Sequence, residues 1–203
     1  MLSSISFLIF ATALVLGQLG DQSKPSALPN RPQALVESLY VQVVARHPVG
    51  LPKGADMKTF APYLSKTLLH RINLASACGA DWYRQNPDPQ LKPAFDWLEL
   101  DLFSGADEEA TPSSSVVERA QLEKDGSIRV YVKLTYKEPG ERPWTWRVAP
   151  IVLRANGQYV VDDVIFLKED GESAEARLSA FLSEGCAGRR WVGLDDRKNN
   201  TKQ

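Results

Sequence analysis

Two carboxylates stand side by side in an apolar run, QYVVDDVIF over residues 158–166. Carboxylates that converge on one substrate can divide general-acid and general-base work between them. On a regular strand, however, neighbouring side chains point to opposite faces, so Asp162 and Asp163 diverge and a cooperating dyad is excluded. Asp163 falls on the parity of Tyr159, Val161 and Ile165, and Asp162 on that of Val160, Val164 and Phe166. One of them alone remains a candidate general base. The competing reading gives each carboxylate a structural task, accepting hydrogen bonds from a neighbouring strand or loop. Arg147 is then the expected cationic partner, because a buried carboxylate needs a cation or several donors.

The rest of the reactive inventory is thin. His47 and His70 are the only histidines. His70 lies off the apolar stripe of its helix, and His47 ends a helix where a cation suits the dipole. There is no HExxH, no paired Cys-x-x-Cys and no dense carboxylate loop, so no zinc or calcium site is expected. G-x-S-x-G, GxxxxGK[ST] and GxGxxG are also missing, and no cofactor is expected. GLPKGADMK over residues 50–58 has the composition of a phosphate loop without its spacing or helix entry.

Aromatic residues offer a different chemistry, that of recognition. Trp82, Tyr83, Phe95, Trp97 and Phe103 crowd one segment, interleaved with Asp81, Arg84, Asp96, Glu99 and Asp101. Trp144 and Trp146 share one face of a later strand. Trp82, Tyr83, Arg84, Trp97, Trp144 and Trp146 form the candidate binding set, with apolar bodies and polar tips. Filling of the core by the same rings is the alternative, and exposure to solvent separates the two.

The formal net charge of −1 supplies no field that would attract nucleic acid. The pair Arg189–Arg190 and the triplet KED at 168–170 are too short to make a binding stripe. Residues 1–20 contain no charged side chain, and the apolar stretch 5–16 has the length of a signal-peptide core, though no basic residue precedes it. It is shorter than the ~20 residues a membrane-spanning helix needs. Cleavage after Gly17 or Gly20 and export to a periplasmic or extracellular space are expected; retention of the segment as an anchor is the alternative. Residues 21–31 read as a flexible leader and 195–203 as a disordered tail. In an exported chain the two cysteines, Cys78 and Cys186, are expected to form a disulfide.

These residues have to be positioned by a single domain over residues 32–194. Leu35, Val36, Leu39, Tyr40, Val43 and Val44 make a helical stripe across 32–46. Pro32 suits a first turn, and Pro48 forces the stop near His47. A second helix is predicted over 59–77, short helical pieces over 81–85 and 93–98, and a closing helix over 172–183. Period-two alternation predicts strands over 116–122, 128–136, 144–153 and 158–166, with Asp125-Gly126 and Asn156-Gly157 as turns. The fold class is α+β: N-terminal helices packed on a curved antiparallel sheet of about four strands, then a short C-terminal helix.

Helix, helix with a leucine stripe, connector and long strands ending in GQYVVDDVIF together resemble the nuclear-transport-factor-2-like (cystatin-like) α+β cone. The closing phrase is similar to the Gly–Trp–x–Ile–Asp–Asp–Val pattern of exported bacterial domains of unknown function, with Tyr159 and Val161 in place of Trp and Ile. The resemblance spans residues 33–183. It implies that the Tyr159–Val161 parity, and Asp163 with it, faces the cone interior. The superfamily holds isomerases, dehydratases and binding domains, so the fold does not select an activity. The expected function is non-enzymatic binding of a protein partner or small ligand by an exported domain; the alternative is a small cone-shaped isomerase or hydrolase using Asp163 as base. The oligomeric state is left open.

Overall fold

A computed structural model describes residues 31–107 and 110–193. The signal peptide, nearly all of the leader and the C-terminal tail expected from the sequence lie outside the described residues. Helix α1 spans Pro32–Arg46 and buries Leu35, Val36, Leu39, Tyr40 and Val43. It ends where His47 turns left-handed, with its backbone N–H returned to Val43 O. Pro48 enforces that stop.

The region predicted as one helix over 59–77 is divided differently. A short helix α2, Gly54–Phe60, runs into a 3-10 turn, Ala61–Tyr63, and α3 then extends over Lys66–Gln85. Pro62 is the physical cause, since its ring cannot share a continuous helix with the carbonyl four residues back. The chain restarts at Ser65, whose Oγ caps α3 by accepting from Leu68 N at 2.9 Å. The helix then absorbs residues 81–85, so Cys78 lies within α3 rather than at its end. Of the piece predicted over 93–98, only a 3-10 turn at Asp96–Leu98 forms.

Five antiparallel strands follow in the order β1-β2-β3-β4-β5. They are β1 Ser114–Leu122, β2 Ile128–Tyr136, β3 Trp144–Ala155, β4 Gln158–Leu167 and β5 Ala174–Arg177. Leu178–Phe181 alone forms helix α4, and the two-residue strands β6, Cys186–Ala187, and β7, Arg190–Trp191, make a small hairpin. The closing helix expected over 172–183 thus forms only at Leu178–Phe181, and residues 174–177 are strand. Its first half satisfies the backbone edge of β4 by pairing Ile165 with Arg177 and Phe166 with Ala176. An open edge left by β4 would outweigh the modest helix preference of a four-residue segment.

The main core lies between one face of the sheet and the helices, with Val130, Val132, Leu134, Val148, Val152, Val161 and Val164 from the strands. Tyr131, Ala149, Ile165 and Leu167 form a second, smaller cluster on the opposite face. Charged side chains roof it. Arg119 sits 3.7 Å above the Tyr131 ring and forks onto Glu172, while Arg147 forks onto Glu118. Among the described residues no helix is long and apolar enough to cross a membrane.

Cys78 and Cys186 are joined by a disulfide, with Cα atoms 6.0 Å apart. It pins the β6–β7 hairpin to α3. Asp81 reinforces the tie by accepting from Trp191 N at 2.9 Å.

Candidate functional site

Asp162 and Asp163 sit at a β-bulge. Ile151 pairs with Asp163 and Val152 with Val161, leaving Asp162 without an opposite residue. The bulge resets the alternation, which is why Val161 and Val164 both belong to the helix-side core although three positions separate them. Asp163 therefore shares the parity of Ile165 but not of Val161. Its expected place on the inward Tyr159–Val161 face is corrected by this one inserted residue.

The two carboxylates take separate partners. Asp162 Oδ1 accepts from Ser65 Oγ at 2.5 Å, linking the bulge to the cap of α3, and Ser65 N donates to Val161 O alongside. Asp163 Oδ1 accepts from Val164 N and Ser179 N, both at 2.9 Å. Its Oδ2 accepts from Ser179 Oγ at 2.7 Å and, more loosely, from Arg177 Nη1 at 3.4 Å. Asp163 thus caps the first turn of α4 from another strand. Arg147, the expected partner, is engaged with Glu118 instead; the cation at Asp163 is Arg177. A general base needs a lone pair free for the substrate proton, and here every oxygen of Asp163 already serves a donor.

A buried carboxyl that the sequence did not single out as reactive is Asp101. Its Oδ1 accepts from Phe103 N at 3.1 Å and Ser104 N at 3.0 Å, whereas buried Oδ2 has no partner among the described residues. Burial pushes its pKa up to about 6, against the opposing pull of those backbone donors. Tyr40, whose hydroxyl donates to Phe103 O at 2.8 Å, is held well above the usual phenol range by burial and then by the Asp101 charge. The available signal was local: an Asp inside the apolar run LELDLFSG, followed by Ser and Gly, is the pattern of a carboxylate folding its own turn.

The candidate aromatics divide. Trp82 and Trp97 are 7% and 4% exposed and belong to the core, whereas Tyr83 is 53% and Trp144 54% exposed. Trp144 stacks on Trp146 with centroids 4.7 Å apart, and Trp146 donates Nε1 to Ser104 O at 2.8 Å. Arg84 pairs with Asp81. Tyr83 and Trp97 meet at a groove of about 650 Å³ between α3, the Asp96–Leu98 turn and the loop after α1. Trp144 and Trp146 are not among its walls.

Three local causes shape this groove. The Pro- and Gly-rich loop after α1 cannot be helical, so it runs alongside the connector, with Gly50 N donating to Leu100 O and Leu102 N to Pro48 O. Gly79 lets Trp97 lie flat on α3, since a Cβ there would sit 3.0 Å from Trp97 Cη2. Trp97 also stacks on Phe95 at 4.8 Å. Trp97 Nε1 is buried without an acceptor among the described residues. His47, Lys53, Ser76 and Tyr83 bring polar groups to the walls. No hydrogen bond joins His47 to Ser76 or Tyr83 among the described residues, so no nucleophile–base pair is assembled. The arrangement offers an apolar floor and scattered hydrogen-bonding groups, which is recognition chemistry. Among the described residues no cluster of three or more His, Cys, Asp or Glu could hold a metal ion. Comparison with protein-family models, curated proteins and solved structures finds no match to the chain.

Proposed function

We propose that the protein is an exported, non-enzymatic binding domain that takes a small ligand, or a short segment of a protein partner, in the groove beside Tyr83 and Trp97. The observation that carries this reading is the groove itself: an exposed Tyr ring and a core Trp flank about 650 Å³ of open space, with His47, Lys53 and Ser76 among its polar walls. That volume lies within the range of ligand sites, roughly 300–1,000 Å³. The disulfide supports export, because such a bond persists in oxidising compartments. Helices, connector and antiparallel meander in this order support the nuclear-transport-factor-2-like reading of the fold. The rival enzymatic reading draws no support from Asp163, whose oxygens are occupied by Ser179, Val164 and Arg177.

Affinity capture from an envelope extract, with native mass spectrometry for small ligands, tests the proposal. Ala80 lines the groove from the exposed side of α3, so Ala80→Glu obstructs it without touching the core. A species retained by the wild type and lost by this variant is the expected result. Identical retention by both proteins would overturn the assignment to the groove.

A further inference from the structure

A second pocket, of about 320 Å³, lies between α3, α4 and the β6–β7 hairpin. Arg71, Leu74, Leu182, Ser183, Cys186 and Gly188 are among its walls. Arg71 is half-buried, and among the described residues no carboxylate, carbonyl or hydroxyl accepts from its guanidinium. Arg46, Arg84, Arg119, Arg129, Arg147 and Arg177 each pair with a carboxylate, and of the described arginines outside those pairs Arg71 alone is not exposed. A partly desolvated guanidinium without an acceptor is costly, and its fork geometry matches a carboxylate.

Arg71 is the one charged side chain among the described residues that line the pocket. Ser179, also at the wall, donates its N–H and hydroxyl to Asp163, which Arg177 also engages. Arg189 follows Gly188 in the hairpin turn and Arg190 opens β7. The hydroxyl of Ser183 is shared between the backbone oxygens of Ser179 and Ala180. Leu74 and Leu182 supply apolar wall beside the guanidinium, and the disulfide through Cys186 fixes the hairpin against α3.

We infer that this pocket binds a carboxylate carried on a short apolar chain, with Arg71 holding the carboxylate and Leu74 and Leu182 the chain. The small volume limits the occupant to a small organic acid or the C-terminal residue of a peptide, which present the same chemistry. This site is separate from the groove beside Tyr83 and stands whether or not that groove binds anything.

Titration of the intact protein with hexanoate and with hexanamide, followed by amide chemical shifts, tests the inference. Hexanoate is expected to move the signals of Arg71, Leu74, Leu182 and Gly188, and hexanamide to bind at least tenfold more weakly. Arg71→Gln should remove the preference for the acid, and Arg71→Lys should restore part of it as a charge without the fork. Arg71 is not a core residue, so an unchanged melting temperature identifies folded variants. A tripeptide with a free C-terminus, run against its amide, distinguishes the sources. Tighter binding of the free-acid peptide than of hexanoate assigns the pocket to chain ends, and the reverse to small acids. Equal binding of acid and amide, no binding of any probe, or an undiminished preference in Arg71→Gln would overturn it.

Discussion

At the scale of single residues, two of the three described buried aspartates, Asp101 and Asp163, differ in how their oxygens are partnered. Asp101 keeps a carboxyl in the core with one oxygen unpartnered, so its charged form is disfavoured and its pKa rises from 3.8 to about 6. Between those values the folded chain holds more protons than the unfolded one, so this group makes stability fall as pH rises from about 4 through 6. The shift corresponds to about 3 kcal/mol in the fully ionised state. Urea unfolding at pH 4.5 and 7.5 should show that fall in the wild type relative to Asp101→Asn, which lacks the titration. An identical pH dependence in both proteins would contradict the assignment. Asp163 is a carboxylate used as an acceptor by four donors. Asp163→Asn should cost about 1–3 kcal/mol by weakening those bonds. Retention of ligand or partner at temperatures where the variant is folded is expected. Loss of an activity with unchanged stability would restore the catalytic reading.

At the scale of elements, Ser65 joins three of them. Its hydroxyl caps α3, donates to Asp162 in the β4 bulge, and its backbone N–H reaches Val161 O. Ser65→Ala therefore removes more than a surface cap, and a loss at the upper end of the usual range, about 2 kcal/mol, is expected. A double-mutant cycle with Asp162→Asn checks the linkage. Coupling of the two substitutions is expected because they share one hydrogen bond, and strict additivity would show that cap and bulge are independent. The bulge itself explains why α4 needs a carboxylate from β4. Resetting the strand at Asp162 brings Asp163 to the point where β5 gives way to α4, and there its oxygens meet Ser179.

For the whole molecule, the Cys78–Cys186 bond ties residues 108 apart in sequence. For a loop of order 100 residues the chain-entropy model gives about 4.7 kcal/mol, which native strain and denatured-state structure reduce. Cys78→Ala with Cys186→Ala should lower the denaturation midpoint by an amount consistent with a few kcal/mol. The hairpin should become the first region to lose hydrogen-exchange protection, since Trp191 N to Asp81 is then its main remaining tie. Non-reducing mass spectrometry of protein from its native compartment checks the bond directly. Two free thiols there would remove the argument for an oxidising location.

Much of the architecture was determined by the sequence alone, because local physics suffices for it. Strict alternation from Ile128 to Tyr136 and the Asp-Gly and Asn-Gly turns place three hairpin-connected strand pairs within a residue or two of their positions. Helix α1 is framed by Pro32 and Pro48, and its apolar stripe names the buried residues. The cysteine pair follows from the expectation of export and an even count. What only the tertiary structure decided depends on groups distant in the chain. The bulge at Asp162 cannot be read from QYVVDDVIF, since an inserted residue changes pairing without changing the alternation of residue types. Residues 174–177 look helical by period but close the edge of β4, whose backbone has no other partner there. Trp82 and Trp97 carry the same polar tips as Tyr83, yet Gly79 and the β6–β7 hairpin bury the first two and leave the third in solvent. Both pockets likewise form where segments far apart in sequence meet, so composition could suggest recognition without locating it.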